Sequence, residues 1–539
     1  MSVKVTGEGR IAAVSKPRLR PAVILVADRT LSARYKILFE GIFATMQTTH
    51  VPEWAMRRFV SPPMNVNKDG RAHAAALGIR RIESALLAHT ELTPRDVVCT
   101  TPEALPDLMG EWVKVVLVSS SDPLGMGMSN TTTTQFWKGE LYTRFWTNQM
   151  MRKIRHAKEK FGFKVVGGGA GAWQWVKHPD QAERQGFDII FEGYFETIGP
   201  KFISDLLRNQ QTESHIRSHQ TAVSHTKPIR GASLLGIVEL SRGCGKGCNF
   251  CTMATRKMEH LPADTILADL HTNIAHGITS VVSGSEDFFR YGGNALKPDF
   301  NKLHDLLVEM RKIRELSFMQ IDHGNIATIL QFTDEQLIET RRLLTWRKNS
   351  DYLWVNMGIE SANGFLVQAN STGKIPPFRP DDWEEMVRQT ADKMTRCGFF
   401  SVFSIILGLP GETPDDVNRT LKLIKYLTTK RTVIFPVFYE PYQPDSNGNY
   451  PRFTLEKMRP DHLELYTTCY EQNFKWVPPL YWDNQWAGGV AWRKRMLIRM
   501  LGKLEMSAWR RAFVRVGKQI ENNKVLDPVT SDEIVYAKS

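Results

Sequence analysis

The sequence predicts an α/β protein: a Rossmann-like first unit, a (β/α)6-type partial barrel and a mainly helical C-terminal region. Three observations predict it: β-branched runs alternate with helical patterns over 20–209, a second alternation starts near 232, and the pattern stops near 440. In the first unit the strand candidates are Val23–Ala27, Val97–Thr100, Val113–Ser119, Lys164–Gly167 and Asp188–Phe191. Such short apolar runs suit strands buried on both faces. Between the first two, a helix over 74–89 gathers Leu77, Ile79, Ile82, Ala85, Leu86 and Leu87 on one side and Arg80, Arg81 and Glu83 on the other. Residues 210–231 are polar, lack apolar periodicity and read as a linker.

In the second unit, 232–440, the strand candidates are Gly236–Leu240, Ser280–Ser283, Phe318–Ile321, Leu353–Gly358, Ser401–Leu407 and Thr432–Phe438. Helices are predicted near 262–275, 301–315, 334–346, 381–396 and 414–428. Six β/α units are too many for a mononucleotide-binding half and suit a barrel of parallel strands. Tyr439 through Gly448 is turn-rich, and 441–539 reads as mainly helical, with no internal repeat.

Composition excludes several classes. With 539 residues, 42% hydrophobic and 24% charged, every unit has a core to bury, so a small disulfide module, a collagen-like chain and bulk disorder are excluded. A balance of 70 Lys and Arg against 57 Asp and Glu, net +13, favours anionic partners without choosing among them. Six cysteines are too few for a disulfide framework, and three fall within eight residues, which points to metal ligation in a reducing, cytoplasmic setting. The first ten residues carry no apolar signal region and no run of ~18 apolar residues occurs, so neither secretion nor a membrane span is expected. No nucleic-acid-binding motif is apparent.

The strongest chemical signal is Glu239-Leu-Ser-Arg-Gly-Cys244-Gly-Lys-Gly-Cys248-Asn-Phe-Cys251. Three thiolates spaced CxxxCxxC in a Gly-rich loop after a strand can hold three corners of an iron–sulfur cubane and leave the fourth iron open. Zinc is the alternative, but it closes with four ligands, and the nearest downstream candidate, His260, stands nine residues past Cys251. Cys99, Cys397 and Cys469 sit alone in apolar sequence and read as small buried hydrophobes.

These cysteines, with Phe250 before the last, resemble the cluster motif of the radical S-adenosylmethionine (SAM) superfamily. Further segments follow in that family's order. Ser283-Gly284-Ser-Glu286 resembles the turn that takes the SAM amino group, Gly358-Ile-Glu360-Ser361 the ribose-side segment, and Ile405-Ile-Leu-Gly408-Leu-Pro-Gly411 the adenine-side turn. The resemblance implies a [4Fe-4S] cluster and SAM as cofactors, with a flavodoxin- or ferredoxin-type one-electron reductant as partner.

The N-terminal unit resembles the cobalamin-binding domain of cobalamin-dependent radical SAM enzymes of the class B methyltransferase type. The resemblance rests on Ser61-Pro-Pro-Met64 with the following helix, on Ser119-Ser120-Ser-Asp122-Pro-Leu-Gly125, on Val166-Gly167-Gly168-Gly169 and on Phe191-Glu192-Gly193, with Ser119–Ser121 and Thr131–Thr134 as hydrogen-bond donors. It implies cobalamin held by these loops over 20–209. One departure is the missing DxHxxG motif: His73 follows Lys68-Asp69-Gly-Arg71 without that spacing, so no protein imidazole is expected below cobalt, and Arg71 is a candidate near the corrin or simply a surface residue.

The implied function is C-methylation of an unactivated carbon of a small molecule, lipid or peptide, with methyl passing from SAM through methylcobalamin. A cobalamin-dependent cyclase, oxidase or rearrangement enzyme would share every motif, and a non-catalytic cofactor sensor is the reading from another class. A methylthiotransferase is disfavoured, because the N-terminal unit lacks three cysteines for a second cluster. Finally, 491–518 carries nine Lys or Arg against Glu505, with Trp492, Met496, Leu497, Met500, Leu501 and Leu504 at helical spacing. This basic amphipathic helix is expected either to pack with a solvated basic face or to form an edge that meets an anionic substrate or, peripherally, a membrane surface.

Overall fold

A computed structural model describes residues 19–211, 213–219, 223–294, 296–345, 350–442 and 451–521. The N-terminal decapeptide and 443–448 of the turn-rich segment lie outside these. The first unit is a six-stranded parallel sheet of β1 (Val23–Ala27), β2 (Val97–Thr100), β3 (Val115–Ser119), β4 (Lys164–Gly168), β5 (Ile189–Glu192) and β6 (His215–Arg217), in the order β2-β1-β3-β4-β5-β6. Val23 stands opposite both Val97 and Val115. Both faces are covered: Ile24 and Val26 meet Met150, Met151 and Ile154 of the helix Tyr142–Phe161. Val23, Leu25 and Ala27 meet Ile79 and Leu86 of the helix Leu77–His89, with Ile203 of Gly199–Leu207. Strand order reverses between β1 and β3, and such a switch point opens a crevice at the strand C-termini.

Two features differ from the sequence reading. The strand β6 lies within 210–231 yet pairs with β5 as the sheet edge. Its residues are exposed or half-exposed, so no apolar run marks it. Second, the charged side of Leu77–His89 is not solvated: Arg80, Arg81 and Glu83 are all buried. The barrel covers them, and Arg80 donates to Ala232 O at 3.0 Å and to Glu83 at 2.9 Å.

The second unit contains β7 (Ile237–Glu239), β8 (Ser280–Gly284), β9 (Phe318–Gln320), β10 (Trp354–Glu360), β11 (Phe400–Leu407) and β12 (Thr432–Phe438). They form parallel sheets β9-β8-β7 and β10-β11-β12, joined by a parallel bridge between His323 and Asn356. The result is a six-strand partial barrel, with helices Ala263–Ala275, Phe300–Arg311, Asp334–Leu344, Trp383–Arg396 and Pro414–Leu427 outside it. Local chemistry fixes the helix starts: Thr413 and Asp416 close a capping box with Pro414 at the first helical position.

The C-terminal helices Pro460–Ala487 and Trp492–Glu521 close the free side of β12. Asn473 bonds both backbone groups of Ile434, each at 2.7 Å, and Phe438 N donates to Thr132 Oγ1 at 2.8 Å, so side chains satisfy the edge where another strand would sit. Ring contacts Phe136–Tyr466 and Trp137–Trp509, both 4.9 Å between centroids, tie the first unit to these helices. Among the described residues no helix is long and apolar enough to cross a membrane.

Candidate functional site

The strand β7 ends at Glu239, and the cysteine loop follows at the barrel mouth. Gly243, Gly245 and Gly247 have φ of +76°, +71° and +68°, a left-handed conformation that side-chain-bearing residues adopt at a cost. A Cβ on Gly243 would strike Lys257 O, and one on Gly247 would strike Thr372 Oγ1. Cys244 N donates to Arg256 O at 2.9 Å and Gly247 N to Ala254 O at 3.1 Å, folding the loop back on itself. Cys244, Cys248 and Cys251 are unpaired and partly accessible, whereas Cys99, Cys397 and Cys469 are buried. Burial pushes the Cys244 thiol to about 12 and Cys251 to about 11, so metal binding there must displace protons. Among the described residues no His, Cys, Asp and Glu trio converges on a single ion. His260, the fourth-ligand candidate for zinc, is engaged elsewhere: its Nε2 donates to Gly293 O at 3.0 Å.

A segment that the sequence reading did not single out, Asn370–Lys374, straps this loop. Asn249 N donates to Asn370 O at 3.1 Å, Asn249 Nδ2 to Asn370 Oδ1 at 2.8 Å, and Gly373 N to Lys246 O at 2.8 Å. It carries the buried Lys374, whose ammonium pairs with Glu360. Burial lowers the Lys374 pKa against the opposing pull of Cys248 and Cys244, which places a cation beside the thiols. Glu360 itself is strained: φ is +63°, at a register shift between Gly358 and Glu360 on β10. A Cβ on Gly358 would collide with both Glu360 and Lys374. The only legible trace of the strap was its small, polar Ser371-Thr-Gly373 turn.

The other proposed SAM-side residues divide. Glu286 stands near His323 and Asp322; burial raises its carboxyl, against the pull of His323. His323 Nδ1 lies 3.0 Å from Asp322 Oδ2, and although burial opposes the imidazolium, Asp322 and Glu286 outweigh it and raise His323 to about 9. Asp322 and His323, just past β9, were also missed, since no motif marks that strand end. Gly284 lets β8 pass close to β7, with Ile237 at 3.3 Å and Glu239 Cα at 3.4 Å from a would-be Cβ. Ser361 is buried, its Oγ 3.3 Å from Thr420 Oγ1 and its carbonyl accepting from Trp383 at 2.9 Å, so packing accounts for it. Gly408, at φ +78°, turns under Phe453 and its N–H donates to Glu412 at 2.5 Å.

At the first sheet's C-terminal edge, Ser119, Gly168, Gly169, Glu192 and Gly193 keep some exposure, while Ser120, Asp122 and Gly167 are buried. Much of this sequence serves the fold. Asp122 accepts from Met126 N, Gly127 N, Gln174 and Asn130. Gly169 makes room for Ser119 and Ser120, Gly125 for Leu141, and Gly193 for Ser218. Glu192 pairs with Arg217 at 3.2 Å. Thr131 to Thr134 bond back onto their own helix. Arg71 is not brought to this edge: its guanidinium reaches Asp69, Val97 O and Pro94 O, toward the opposite end of β2.

Asp28, just past β1 at the switch point, was not singled out from the sequence. It is fully buried, Oδ1 accepts from Thr30 N at 2.8 Å, and Oδ2 has no partner. Burial raises it to about 6 from 3.8. A carboxyl raised in the folded state binds its proton more tightly there, so stability falls as pH rises through about 3.8 to 6. Asp28→Asn is therefore expected to stabilise the protein at neutral pH by about 3 kcal/mol, a gain that shrinks toward acid pH. Denaturant midpoints at pH 7.5 and 5 check this; an unchanged difference between the two would refute it.

The two strand C-terminal edges face each other. Tyr194, past β5, lies under Arg242 and Arg256 of the cysteine loop at 4.5 and 5.1 Å, and Trp173 meets Tyr442, past β12, at 5.4 Å. Beside them runs a buried ionic chain. Arg81 pairs with Asp269 at 2.5 Å and Glu239 at 3.2 Å, and Arg242 pairs with Glu239 at 2.8 Å and Glu196 at 2.6 Å. Burial alone would raise Glu239, but Arg242 and Arg81 outweigh it and hold its carboxyl below the usual range.

Residues 238–424 match the Radical SAM superfamily, so the barrel and its three cysteines form a radical SAM domain. The chain is 22% identical over 282 residues to the tRNA-2-methylthio-N(6)-dimethylallyladenosine synthase of Buchnera aphidicola subsp. Baizongia pistaciae, covering 51% of this chain and 60% of that protein. With the synthase of that name from Nitrosospira multiformis it shares 24% over 327 residues, 58% and 63% of the two chains. The chain thus spans less than two thirds of the length of these relatives. It is also similar to the radical S-adenosylmethionine methyltransferase TsrM from Kitasatospora setae, solved with tryptophan substrate and the SAM analogue aza-SAM. There the TM-score is 0.51 at 12% identity, over 84% of this chain and 89% of that one, a likeness of fold.

Proposed function

We propose that this radical SAM enzyme is a cobalamin-dependent C-methyltransferase acting on an unactivated carbon of a small molecule, lipid or peptide. A flavodoxin- or ferredoxin-type protein serves as its one-electron donor. The observation that carries this reading is the opposition of two strand C-terminal edges, one holding the cysteine loop and the other a doubly wound sheet with its switch point. The donor set fits a cluster: three unpaired thiols in one glycine-turned loop, with Lys374 and Lys246 buried beside them. The accessible Ser119, Gly168, Gly169 and Gly193, with the orphaned Asp28 Oδ2 nearby, form a polar edge of the kind a corrinoid needs.

Bound here, the cluster would supply the electron that cleaves a C–S bond of SAM, and cobalamin would act as the methyl carrier. Glu286 would take the SAM ammonium, beside His323, whose charge opposes the upward push of burial on that carboxyl. Lys374 would face the SAM carboxylate, held by Glu360 in its strained position. Val238, Met357 and Phe403 are fully buried in the barrel strands, and a wall packed in this way would exclude water from a reactive radical.

The names of the curated relatives favour a second reading, methylthiotransfer. Against it, residues 1–231 contain a single cysteine, Cys99, buried in β2. The deciding experiment is product stoichiometry. Methyl transfer should give S-adenosylhomocysteine and 5′-deoxyadenosine in about equal amounts, with labelled methyl in the product, whereas a cyclase or oxidase would release 5′-deoxyadenosine alone. Substrate-dependent turnover without S-adenosylhomocysteine or label transfer would remove the proposal. Glu286→Gln is expected to weaken SAM binding and lower both products in parallel, with corrinoid content unchanged.

A further inference from the structure

The helix Trp492–Glu521 packs with only part of its circumference. Ala508, Trp509, Ala512, Phe513 and Val516 are buried. Near its start, Lys494 pairs with Glu40 at 2.9 Å, and Arg495 donates to Trp482 O at 3.0 Å while stacking on that ring at 3.9 Å. These anchors turn the other side outward. Trp492, Met496, Met500 and Leu504, each four residues apart, are exposed by 64, 43, 57 and 64%. Four residues advance an α-helix by slightly more than one turn, so the four make one slowly winding stripe.

Cations flank the stripe. Arg493, Arg499, Lys503 and Arg511 are exposed, and Glu505 is the sole acidic residue in 491–518, so this segment carries +8 of the protein's +13. An apolar stripe of Trp, Met and Leu bordered by snorkelling Arg and Lys is what an anionic bilayer surface accommodates: the apolar chains enter the acyl boundary and the cations remain at the headgroups. RNA would use the cations and stack on Trp492, but it would leave Met496, Met500 and Leu504 without purpose, since those side chains offer neither a phosphate backbone nor a base anything.

We propose that this exposed side is a docking surface for an anionic lipid membrane, with the helix lying in the interface plane. The test is co-flotation of the purified holoenzyme with vesicles of phosphatidylcholine alone or mixed with phosphatidylglycerol. Binding is expected only to the mixed vesicles, weakening as salt is added. Met496→Gln with Met500→Gln should reduce it by about tenfold or more, with circular dichroism and corrinoid content unchanged. Failure to float with anionic vesicles, or equal flotation with neutral ones, would overturn the proposal. It would also fall if the double variant instead abolished a dimer seen in sedimentation, or if a tRNA probe bound through Arg493 and Lys503 with no effect of the Met changes.

Discussion

Simultaneous replacement of Cys244, Cys248 and Cys251 by Ala is expected to abolish the visible absorption of the reconstituted cluster and all SAM cleavage while leaving the fold intact. The separation is possible because the loop does not depend on the thiols for its shape. Backbone bonds from Cys244 N and Gly247 N, three left-handed glycines and the Asn370–Lys374 strap hold it. None of these contacts uses a sulfur atom, and Ala at the three positions keeps every backbone donor. Iron content, the visible spectrum and 5′-deoxyadenosine formation are the measurements, with circular dichroism as the control. Stoichiometric zinc without iron in anaerobically purified wild type would overturn the cluster assignment itself.

Arg81→Ala is expected to cost about 3–5 kcal/mol of stability. The guanidinium makes a forked contact to Asp269, a bond to Glu239 at 3.2 Å and one to Lys227 O at 3.0 Å. Its side chain is 4% exposed and that of Asp269 0%. Removing it strands a carboxylate where water cannot replace the lost partner, unlike an exposed pair such as Lys201–Asp205, worth about 0.2–1 kcal/mol. Burial already raises the Asp269 carboxyl even with Arg81 present. The variant should push it further up, so the deficit should narrow as pH falls and Asp269 takes a proton. Arg81→Lys should recover only part, because a point charge cannot fork. A loss below about 1 kcal/mol in denaturant titrations would show that this pair contributes no more than a surface one.

These residues also mark where the sequence was legible and where it was not. The central strands declared themselves as continuous β-branched runs because both faces are buried, and Thr432–Phe438 begins and ends where the apolar pattern did. The cysteine loop was legible because its chemistry is compressed into eight contiguous residues. Arg80, Arg81 and Glu83 misled, because a charged helix face looks the same whether it meets water or is buried with Arg80 paired to Glu83 and Arg81 to the carboxylates of another unit. Lys374 was invisible for a related reason, since it acquires its setting from cysteines far away in sequence, whereas His323 is set mainly by the adjacent Asp322 at a strand end that no motif marks. Ser361 and Asp122 show the converse, polar residues at motif positions whose partners are all within the protein.

The seam between the two units has a consequence for how such proteins can be taken apart. Ala232–Ser233 pairs with Ala74–Ala75 as a two-residue parallel ladder, Arg80 holds Ala232 O, and Arg81 holds Lys227 O. The connecting segment is thus stitched to the first unit, whose Arg81 is matched to carboxylates of the second. The two halves are not interchangeable modules. A chimera that grafted this barrel onto another parallel sheet would bury Asp269 and Glu239 without Arg81, and either half made alone would present Arg81 or Asp269 to solvent beside bare apolar surface. Gene fusion or recombination at 210–231 would therefore be tolerated only where the incoming partner brought the same charge register.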